Sequence, residues 1–272
     1  MADGTLRVAA VQTSSQEDLR KNLDDCRVLV ERASAEGARL IVLPENFAYF
    51  GPDGGRRAVA ERFGGGGTIE RELASWARTA KAFVVAGGMP EQSDEPERPY
   101  NTAAVFSPDG RLSATYRKIH LFDVELSDGT TLCESAKTKS GSDAVVVDVD
   151  GFTVGLSICY DIRFPELYRR LTDVGAEVLL VPAAFTLHTG KDHWSVLLRA
   201  RAIEAQSWVV GAAQWGRHPG NRATYGHSMV VDPWGTVVAE CSDRSGVIVA
   251  DIDKEHLQRV RTQLPSLRHR RL

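Results

Sequence analysis

The chain has 272 residues, of which 43% are hydrophobic and 25% charged, and its formal net charge is −3. This length and composition can bury a large core, which favours one globular α/β domain over residues 1–272. The small negative charge gives no electrostatic reason to expect nucleic acid or an anionic membrane as a partner, so a small-molecule substrate fits better.

The first third of the chain alternates apolar strands with amphipathic helices. Ser15, with Asp18 three residues later, is a typical helix N-cap signal, and apolar residues then recur every three or four positions. The second strand is apolar throughout and ends in Pro44 and Glu45. Strands are predicted at 7–11, 40–43 and 83–86, and helices at 19–33 and 68–82.

The rest of the chain first forms hairpins and then returns to the earlier alternation. Turn sequences at 107–110 and 150–151 predict two hairpins in the middle, and 232–235 predicts a last one. Between them lie predicted strands at 177–181 and 208–213 with a helix around 194–206. This pattern suggests two similar halves, each a sheet with helices on one outer face, whose sheets pack together into four layers.

Cys159 is the first candidate for chemistry. It follows the apolar strand 152–158 and precedes a helix that starts near Pro165. A side chain at the carboxyl end of a strand points into the crevice where α/β sheets place their ligands, and the nearby helix N-terminus favours a thiolate and an oxyanion. The alternative is that Cys159 is a small apolar core residue.

His188 and His193 are five residues apart and are not interpreted as a metal pair.

Two further charged residues follow predicted strands. Glu45 comes directly after Pro44, and Lys118 comes after the strand 112–116. Each could be an ordinary surface charge. A carboxylate, an ammonium and a thiol at one sheet edge, however, form a set of acid/base, oxyanion-binding group and nucleophile.

Three motifs carrying these residues resemble the nitrilase superfamily of carbon–nitrogen hydrolases: 43–47, 116–121 and 158–166. Further stretches resemble its Nit branch, and within it the deaminated glutathione amidases: 133–135, 189–190, 193–194, 198–204 and 225–235. The resemblance covers the chain from about residue 6 onward. It implies a four-layer αββα sandwich of the nitrilase type, and a homodimer or higher homo-oligomer that continues the sandwich across an interface.

The residues suggest a mechanism. Glu45 takes the proton of Cys159, while Lys118 and the Tyr160 backbone N–H hold the oxyanion that forms as sulfur attacks an amide carbon. Glu45 then protonates the departing amine and later activates water. By resemblance, Glu134 matches a second glutamate that orients Lys118 and the substrate. No metal or organic cofactor is required.

The resemblance also implies an acidic acyl group. Arg163, helped by Thr189, matches an arginine that pairs with a substrate carboxylate, for which a guanidinium fork is well suited. We therefore expect cleavage of deaminated glutathione into 2-oxoglutarate and cysteinylglycine. The alternatives are an ω-amidase acting on 2-oxoglutaramate, an N-carbamoyl amidohydrolase, an acyl transferase, and a binding protein without catalysis. Arg163 could instead pair with Glu166 or a nearby aspartate.

The remaining features concern the compartment. The four cysteines, Cys26, Cys133, Cys159 and Cys241, contain no Cys-x-x-Cys pair, so neither disulfides nor a zinc site is indicated. No leader-like N-terminus and no apolar run of about 20 residues is present in the sequence, which predicts a cytoplasmic protein.

The glycines at 64–67 are interpreted as a loop. The basic residues at 268–271 are read as a solvated end that by resemblance reaches toward a partner subunit.

Overall fold

The computed structural model of the chain describes residues 4–125 and 131–271. The strands of the first half are β1 Thr5–Gln12, β2 Leu40–Val42, β3 Phe83–Glu91, β4 Tyr100–Phe106, β5 Leu112–Arg117, β6 Asp123–Glu125 and β7 Thr131–Cys133. Those of the second half are β8 Val146–Val149, β9 Phe152–Leu156, β10 Val178–Ala183, β11 Trp208–Ala213, β12 Trp215–His218, β13 Arg222–Tyr225, β14 Met229–Val231, β15 Val237–Glu240 and β16 Gly246–Asp253. The helices are α1 Leu19–Ala35, α2 Asp53–Ala58, α3 Thr68–Ala80, the 3₁₀ helix Cys159–Arg163, α4 Pro165–Asp173, α5 Leu187–Ala205, α6 Lys254–Gln263 and α7 Ser266–His269.

The strands form two six-stranded sheets of similar design. The first has the order β16-β1-β2-β3-β4-β5 and the second the order β15-β14-β11-β10-β9-β8. Each sheet has three neighbouring parallel strands, β1-β2-β3 and β9-β10-β11, flanked by antiparallel strands. The two similar halves predicted from the sequence are therefore present.

The two sheets pack face to face, with helices outside. Strand β1 contacts β11 and β3 contacts β10 across the interface, while α1 and α3 lie on the first sheet and α5 lies on the second beside α4. Apolar side chains between the sheets and under α4 and α5 form one buried cluster, and those between the first sheet and α1 and α3 form another. The predicted four-layer αββα sandwich is confirmed. Within the described ranges, no helix combines the length and apolar character needed to cross a membrane.

Some local predictions were wrong in detail. Helix α1 is capped by Asp18, whose side chain accepts from the backbone N–H of Lys21 at 3.0 Å, and not by Ser15. Ser15 is buried, and its hydroxyl donates to the carbonyl of Phe47 at 2.9 Å. Helix α5 begins at Leu187, seven residues before the predicted start, because the Thr186 side chain caps it.

The strand ends explain how distant residues meet. Glu45 follows β2, Cys159 follows β9 and Ala184 follows β10, all at the carboxyl ends of parallel strands. Lys118 directly follows β5 of the first sheet. Because the facing sheets bring these ends together, the four segments converge on one edge of the sandwich.

Candidate active site

A cavity of about 880 Å³ opens at this edge of the sandwich, and we call it the large cavity. Its lining includes Glu45, Lys118, Glu134 and Cys159, so the structure brings together all four predicted catalytic side chains. Its size lies within the range typical of small-molecule sites.

Lys118 is the centre of a buried charge network. Its Nζ lies 3.0 Å from Oε1 of Glu45, and 2.8 and 3.1 Å from the two carboxylate oxygens of Glu134. Lys118 is only 2% exposed and Glu45 only 4%. One ammonium therefore bridges two carboxylates that would be costly to bury without it.

Neutral groups hold the two carboxylates in place. The Asn101 Nδ2 donates to Oε1 of Glu45 at 2.8 Å, and the Ala184 backbone N–H donates to Oε2 at 2.9 Å. The Phe122 backbone N–H donates to Glu134 at 2.7 Å. These donors leave each carboxylate little freedom to turn, which keeps Glu45 directed at the site.

Electrostatic effects set the protonation of the ammonium and of one carboxylate. Burial by itself lowers the pKa of Lys118, but the charges of Glu134 and Glu45 raise it overall, so the side chain stays cationic. Burial by itself raises the pKa of Glu134, but the charges of Lys118 and Arg56 lower it overall. Glu134 therefore remains a carboxylate at neutral pH.

The helix N-terminus near Cys159 favours a thiolate, but other groups act more strongly on its pKa. Burial, followed by the Glu45 carboxylate, raises the pKa of Cys159 well above its usual range. Lys118 and the Ala184 N–H act in the opposite direction without overcoming this. A thiol whose pKa is raised in this way stays protonated at neutral pH, and the carboxylate that contributes to the rise is that of Glu45.

The backbone at Cys159 forms a sharp turn. Cys159 has φ of +50°, a left-handed conformation that non-glycine residues rarely adopt. The buried Asp161 side chain holds the turn by accepting from the Ile158 N–H at 2.9 Å, the Tyr116 hydroxyl at 2.6 Å and the His120 N–H at 3.0 Å. Strain of this kind is commonly kept where it aims a reactive side chain. The backbone N–H of Tyr160 lies in the first turn of the 3₁₀ helix, where no intrahelical acceptor is available.

Room for Glu45 comes from two glycines in β3. The register of β3 against β4 shifts between Ala86 and Met89, and Gly88 has φ of +153°. A Cβ at Gly87 would overlap the Leu43 carbonyl oxygen and approach Cβ of Pro182 to 2.5 Å. The chain that leads into Glu45 can therefore pass only because Gly87 has no side chain.

Gly87→Ala is expected to displace this segment. We expect a loss of about 2 kcal/mol of unfolding free energy, since overpacking a rigid core costs about 1–3 kcal/mol. We also expect reduced turnover, because Glu45 lies two residues beyond Leu43. Urea unfolding and an amide hydrolysis assay measure the two effects.

Gly54→Ala is the matched control, because a Cβ there has no heavy atom within 4 Å. It lies in α2 and should leave stability unchanged or raise it by about 0.5–1 kcal/mol. Equal behaviour of the two variants would contradict the role given to Gly87.

The predicted substrate-binding residues lie in a smaller space, which we call the recess. Arg163 and Thr189 line it together with Phe122, Cys159, Tyr160, Ala184, Phe185 and Thr186. Arg163 forms no ion pair with any described carboxylate, so the alternative pairing with Glu166 is not observed. Its Nη1 instead lies 3.3 Å from Nδ1 of His193. The recess and the large cavity meet at Cys159.

Sequence reasoning missed several residues of the site. Asn101 and Ala184 contact Glu45 but carry no local signal, because an asparagine and an alanine after a turn or strand are unremarkable in sequence. Arg56 and Arg222 line the large cavity and were not singled out either. Over the described residues, no cluster of three or more His, Cys, Asp or Glu side chains could hold a metal ion.

Comparison with known proteins adds to this geometry. The carbon–nitrogen hydrolase family profile matches residues 7–262. The deaminated glutathione amidase of Synechocystis sp. is 44% identical over 265 residues, covering 96% of this chain and 97% of the relative. That of Homo sapiens is 44% identical over 268 residues, covering 97% and 82%. The crystal structure of Saccharomyces cerevisiae Nit3, described as a member of branch 10 of the nitrilase superfamily, superposes with a TM-score of 0.89 at 32% identity, covering 99% of this chain and 97% of that one.

Proposed function

The chain belongs to the carbon–nitrogen hydrolase family, as its three motifs predicted, and we propose that it cleaves deaminated glutathione through a thioester on Cys159. It is a hydrolase of carbon–nitrogen bonds in linear amides. The proposal concerns the substrate and the role of each residue. The relatives named deaminated glutathione amidases support the substrate.

One observation carries the mechanism: Lys118 is shared between Glu45 and Glu134 in a cavity that also exposes Cys159. A base, a cation and a nucleophile in one small volume are what amide cleavage through a covalent intermediate requires.

In the first half-reaction the thiol proton of Cys159 passes to Glu45 as the sulfur–carbon bond forms. Negative charge then appears on the substrate oxygen, where Lys118 and the Tyr160 N–H stabilise it. Because Glu45 is neutral at that moment, it holds Lys118 less strongly, and the ammonium can turn toward the oxyanion. The net charge of the buried site stays constant, which avoids a costly change in solvation.

Glu45 then gives its proton to the amine nitrogen, the carbon–nitrogen bond breaks and the amine leaves, which completes the first half-reaction. In the second half-reaction Glu45 takes a proton from water as the water attacks the thioester. Collapse of that intermediate breaks the carbon–sulfur bond, and the proton held by Glu45 returns to the sulfur. Glu134 remains ionised and keeps Lys118 in position throughout.

The acyl group is proposed to place its carboxylate near Arg163 and Thr189. Arg163 lies beside Cys159 in the recess and has no carboxylate partner among the described residues. The Phe185 ring lies 5.0 Å from its guanidinium carbon and restricts its motion. The hydroxyl of Thr189 is 2.8 Å from that of Thr186.

The deciding assay follows 2-oxoglutarate released from deaminated glutathione and, separately, from 2-oxoglutaramate. We expect release from deaminated glutathione at a higher kcat/KM, together with a 2-oxoglutaryl adduct on Cys159 in quenched samples. Cys159→Ala should abolish release, because no nucleophile remains.

Cys133→Ala is the matched control, since Cys133 also lines the large cavity but has no role in the mechanism. Preference for 2-oxoglutaramate would make the protein an ω-amidase. Release from neither substrate would refute the acyl group proposed here, and added amines or carbamoyl compounds would then identify acyl transfer or carbamoyl hydrolysis.

For the assembly we propose a homodimer. Val196 and Ile203 on the outer face of α5 are 64% and 46% exposed, and Trp234 nearby is 56% exposed. Apolar side chains grouped on one surface commonly mark an interface. Sedimentation equilibrium tests this, since a monomer at micromolar concentration would contradict it.

A further inference from the structure

The large cavity carries more positive than negative charge. Within the described residues its lining includes five side chains of lysine and arginine and three carboxylates: Arg56, Lys118, Lys137, Lys191 and Arg222, against Glu45, Asp53 and Glu134. Lys118 is committed to its two glutamates, and Lys137 pairs with Asp53 at 2.6 Å. The remaining cations, Arg56, Lys191 and Arg222, form no ion pair with any carboxylate of the described residues, which suits an anionic ligand.

We propose that Arg222 binds a carboxylate on the leaving-group half of the substrate, an inference that rests on the proposed amidase function. The ligand would be an amine that ends in a carboxylate, such as the glycine end of cysteinylglycine. Arg222 would therefore be a specificity-determining residue that favours a peptide leaving group over ammonia.

The guanidinium of Arg222 is held in place by neutral groups. Its Nε donates to the Pro219 carbonyl at 2.9 Å, and its central carbon lies 4.7 Å from the centre of the Phe50 ring. The Phe50 ring stacks on His218 at 4.1 Å. The His218 ring is fixed in turn by the Ser15 carbonyl and the Thr224 hydroxyl, at 2.9 and 2.7 Å.

This arrangement leaves the ligand-binding end of the side chain available. Neither Nη nitrogen of Arg222 has a hydrogen-bond partner within residues 4–125 and 131–271. With Nε anchored at Pro219 and the guanidinium carbon 4.7 Å from the centre of the Phe50 ring, the two Nη groups form a preorganised fork for the two oxygens of a carboxylate.

Arg222 also lacks a counterion in the part of the chain that the structure describes. No described carboxylate forms an ion pair with it, and burial lowers its pKa, with Asp53, Tyr49 and Glu17 offsetting this only in part. Even so, a guanidinium remains protonated at neutral pH. A half-buried cation without a partner is unfavourable, and a bound carboxylate would relieve that cost.

The position of Arg222 fits the leaving group and not the acyl group. The acyl carboxylate is assigned to Arg163 at the recess, which has a volume of only about 10 Å³, whereas Arg222, on the β12–β13 hairpin, lines the large cavity of about 880 Å³. The two spaces meet at Cys159. A substrate whose amide lies at that sulfur would direct its acyl carboxylate toward Arg163, while a leaving group as large as a dipeptide has room in the large cavity and not in the recess.

Arg56 is a weaker candidate for the same task. Its Nη1 donates to the Thr138 hydroxyl at 2.8 Å, and its charge lowers the pKa of Glu134. Its Nε and Nη2 lack partners among the described residues, but both are buried and closed to a ligand. We assign it to stabilising the charge of Glu134.

The test compares Arg222→Gln with wild type on three substrates: deaminated glutathione, the same compound with a glycinamide end, and 2-oxoglutaramate. We expect Arg222→Gln to lower kcat/KM on deaminated glutathione by about 10- to 100-fold, mainly through KM. On 2-oxoglutaramate it should stay within about twofold, because that leaving group has no carboxylate. The kcat/KM of wild type should be lower by a similar factor on the glycinamide compound than on deaminated glutathione. The kcat/KM of Arg222→Gln should be the same on these two substrates.

Arg217→Gln is the matched control. Arg217 lies on the same hairpin but is exposed and does not line the large cavity. Its replacement by glutamine changes the net charge by the same amount as Arg222→Gln. It should leave all three kcat/KM values unchanged. Unfolding curves of both variants exclude a loss of folding as the cause.

The outcomes separate the two proposals. If wild type releases 2-oxoglutarate from neither deaminated glutathione nor 2-oxoglutaramate, the proposed function is wrong, and the role inferred for Arg222 is wrong with it. If wild type cleaves deaminated glutathione and Arg222→Gln does so equally well, only the role of Arg222 is wrong. A loss of the same size on all three substrates would also overturn it, because the effect would not depend on the leaving-group carboxylate.

Discussion

Replacing Glu45 with glutamine is expected to lower the kcat for deaminated glutathione by about 1,000-fold, within the range of about 100- to 10,000-fold for loss of a general acid–base group. Glutamine keeps the size of the side chain, and its single amide oxygen can still accept from the Asn101 Nδ2, which lies 2.8 Å from Oε1, but not at the same time from the Ala184 N–H, which donates to Oε2 at 2.9 Å. It cannot take the proton of Cys159 or return one to the amine. Steady-state release of 2-oxoglutarate measures the loss.

The same variant has a second, opposite effect on the thiol. Because the Glu45 carboxylate raises the pKa of Cys159, its removal should lower that pKa, with Lys118 still favouring the thiolate. The thiolate of Glu45→Gln should therefore form at lower pH than in wild type. The ultraviolet absorbance of the thiolate, followed during a pH titration and corrected by subtracting the absorbance of Cys159→Ala, detects this shift.

Glu91→Gln is the control for removing a buried carboxylate. Glu91 is also buried and pairs with Arg117 at 2.7 Å, but it does not line the large cavity. Glu91→Gln should lower the free energy of unfolding and leave the pH at which the Cys159 thiolate forms unchanged. If Glu45→Gln kept wild-type turnover, or raised the pH at which the thiolate forms, Glu45 would not be the base.

Replacing Lys118 with methionine is expected to damage both stability and catalysis. Glu45 and Glu134 would lose their shared cation, and breaking a buried ion pair from one side costs about 3–5 kcal/mol. Turnover should fall by about 100-fold or more, because the main donor to the oxyanion is lost. Urea unfolding and the release assay measure the two effects separately.

The stability loss of Lys118→Met should depend on pH. In wild type the pKa of Glu134 is lowered, so its contribution to stability is present at neutral pH and is lost as pH falls through the lowered value. In the variant Glu134 is buried without Lys118, and protonation relieves its charge. The difference in unfolding free energy between the two proteins should therefore shrink as pH falls toward the ordinary glutamate pKa of about 4.3.

Lys139→Met provides the matched comparison. Lys139 also pairs with two carboxylates, Asp94 and Glu95, but these lie at the surface. Its replacement should cost less than about 1 kcal/mol, as is usual for exposed ion pairs. A similar cost for the two lysine variants would contradict the buried network assigned to Lys118.

The sequence was sufficient to predict the architecture and to single out the side chains that the structure brings together at Cys159. Apolar strands alternating with amphipathic helices predicted two similar halves, because the side-chain period reports which face of each element is buried. Glu45 and Cys159 were recognisable because each follows an apolar strand, and the carboxyl ends of parallel strands meet at one sheet edge. The three motifs then identified the family.

Local patterns were less reliable where two residues could serve the same purpose. Ser15 and Asp18 are both good N-caps, and the burial of Ser15 against Phe47 left the cap to Asp18. The start of α5 was missed because its first turns combine polar residues with apolar ones, and only the Thr186 cap marks the boundary.

Tertiary structure alone decided the chemistry of the sulfur and the surroundings of the site. A helix N-terminus near Cys159 favours the thiolate, but burial and the Glu45 charge raise the pKa of the thiol, and both depend on groups distant in sequence. Asn101 and Arg222 carry no local signal for the same reason. A hydrogen bond joins two groups that can be far apart in sequence, and whether a charge has a partner depends on which groups surround it in the fold. A single stretch of sequence contains only one of the groups involved.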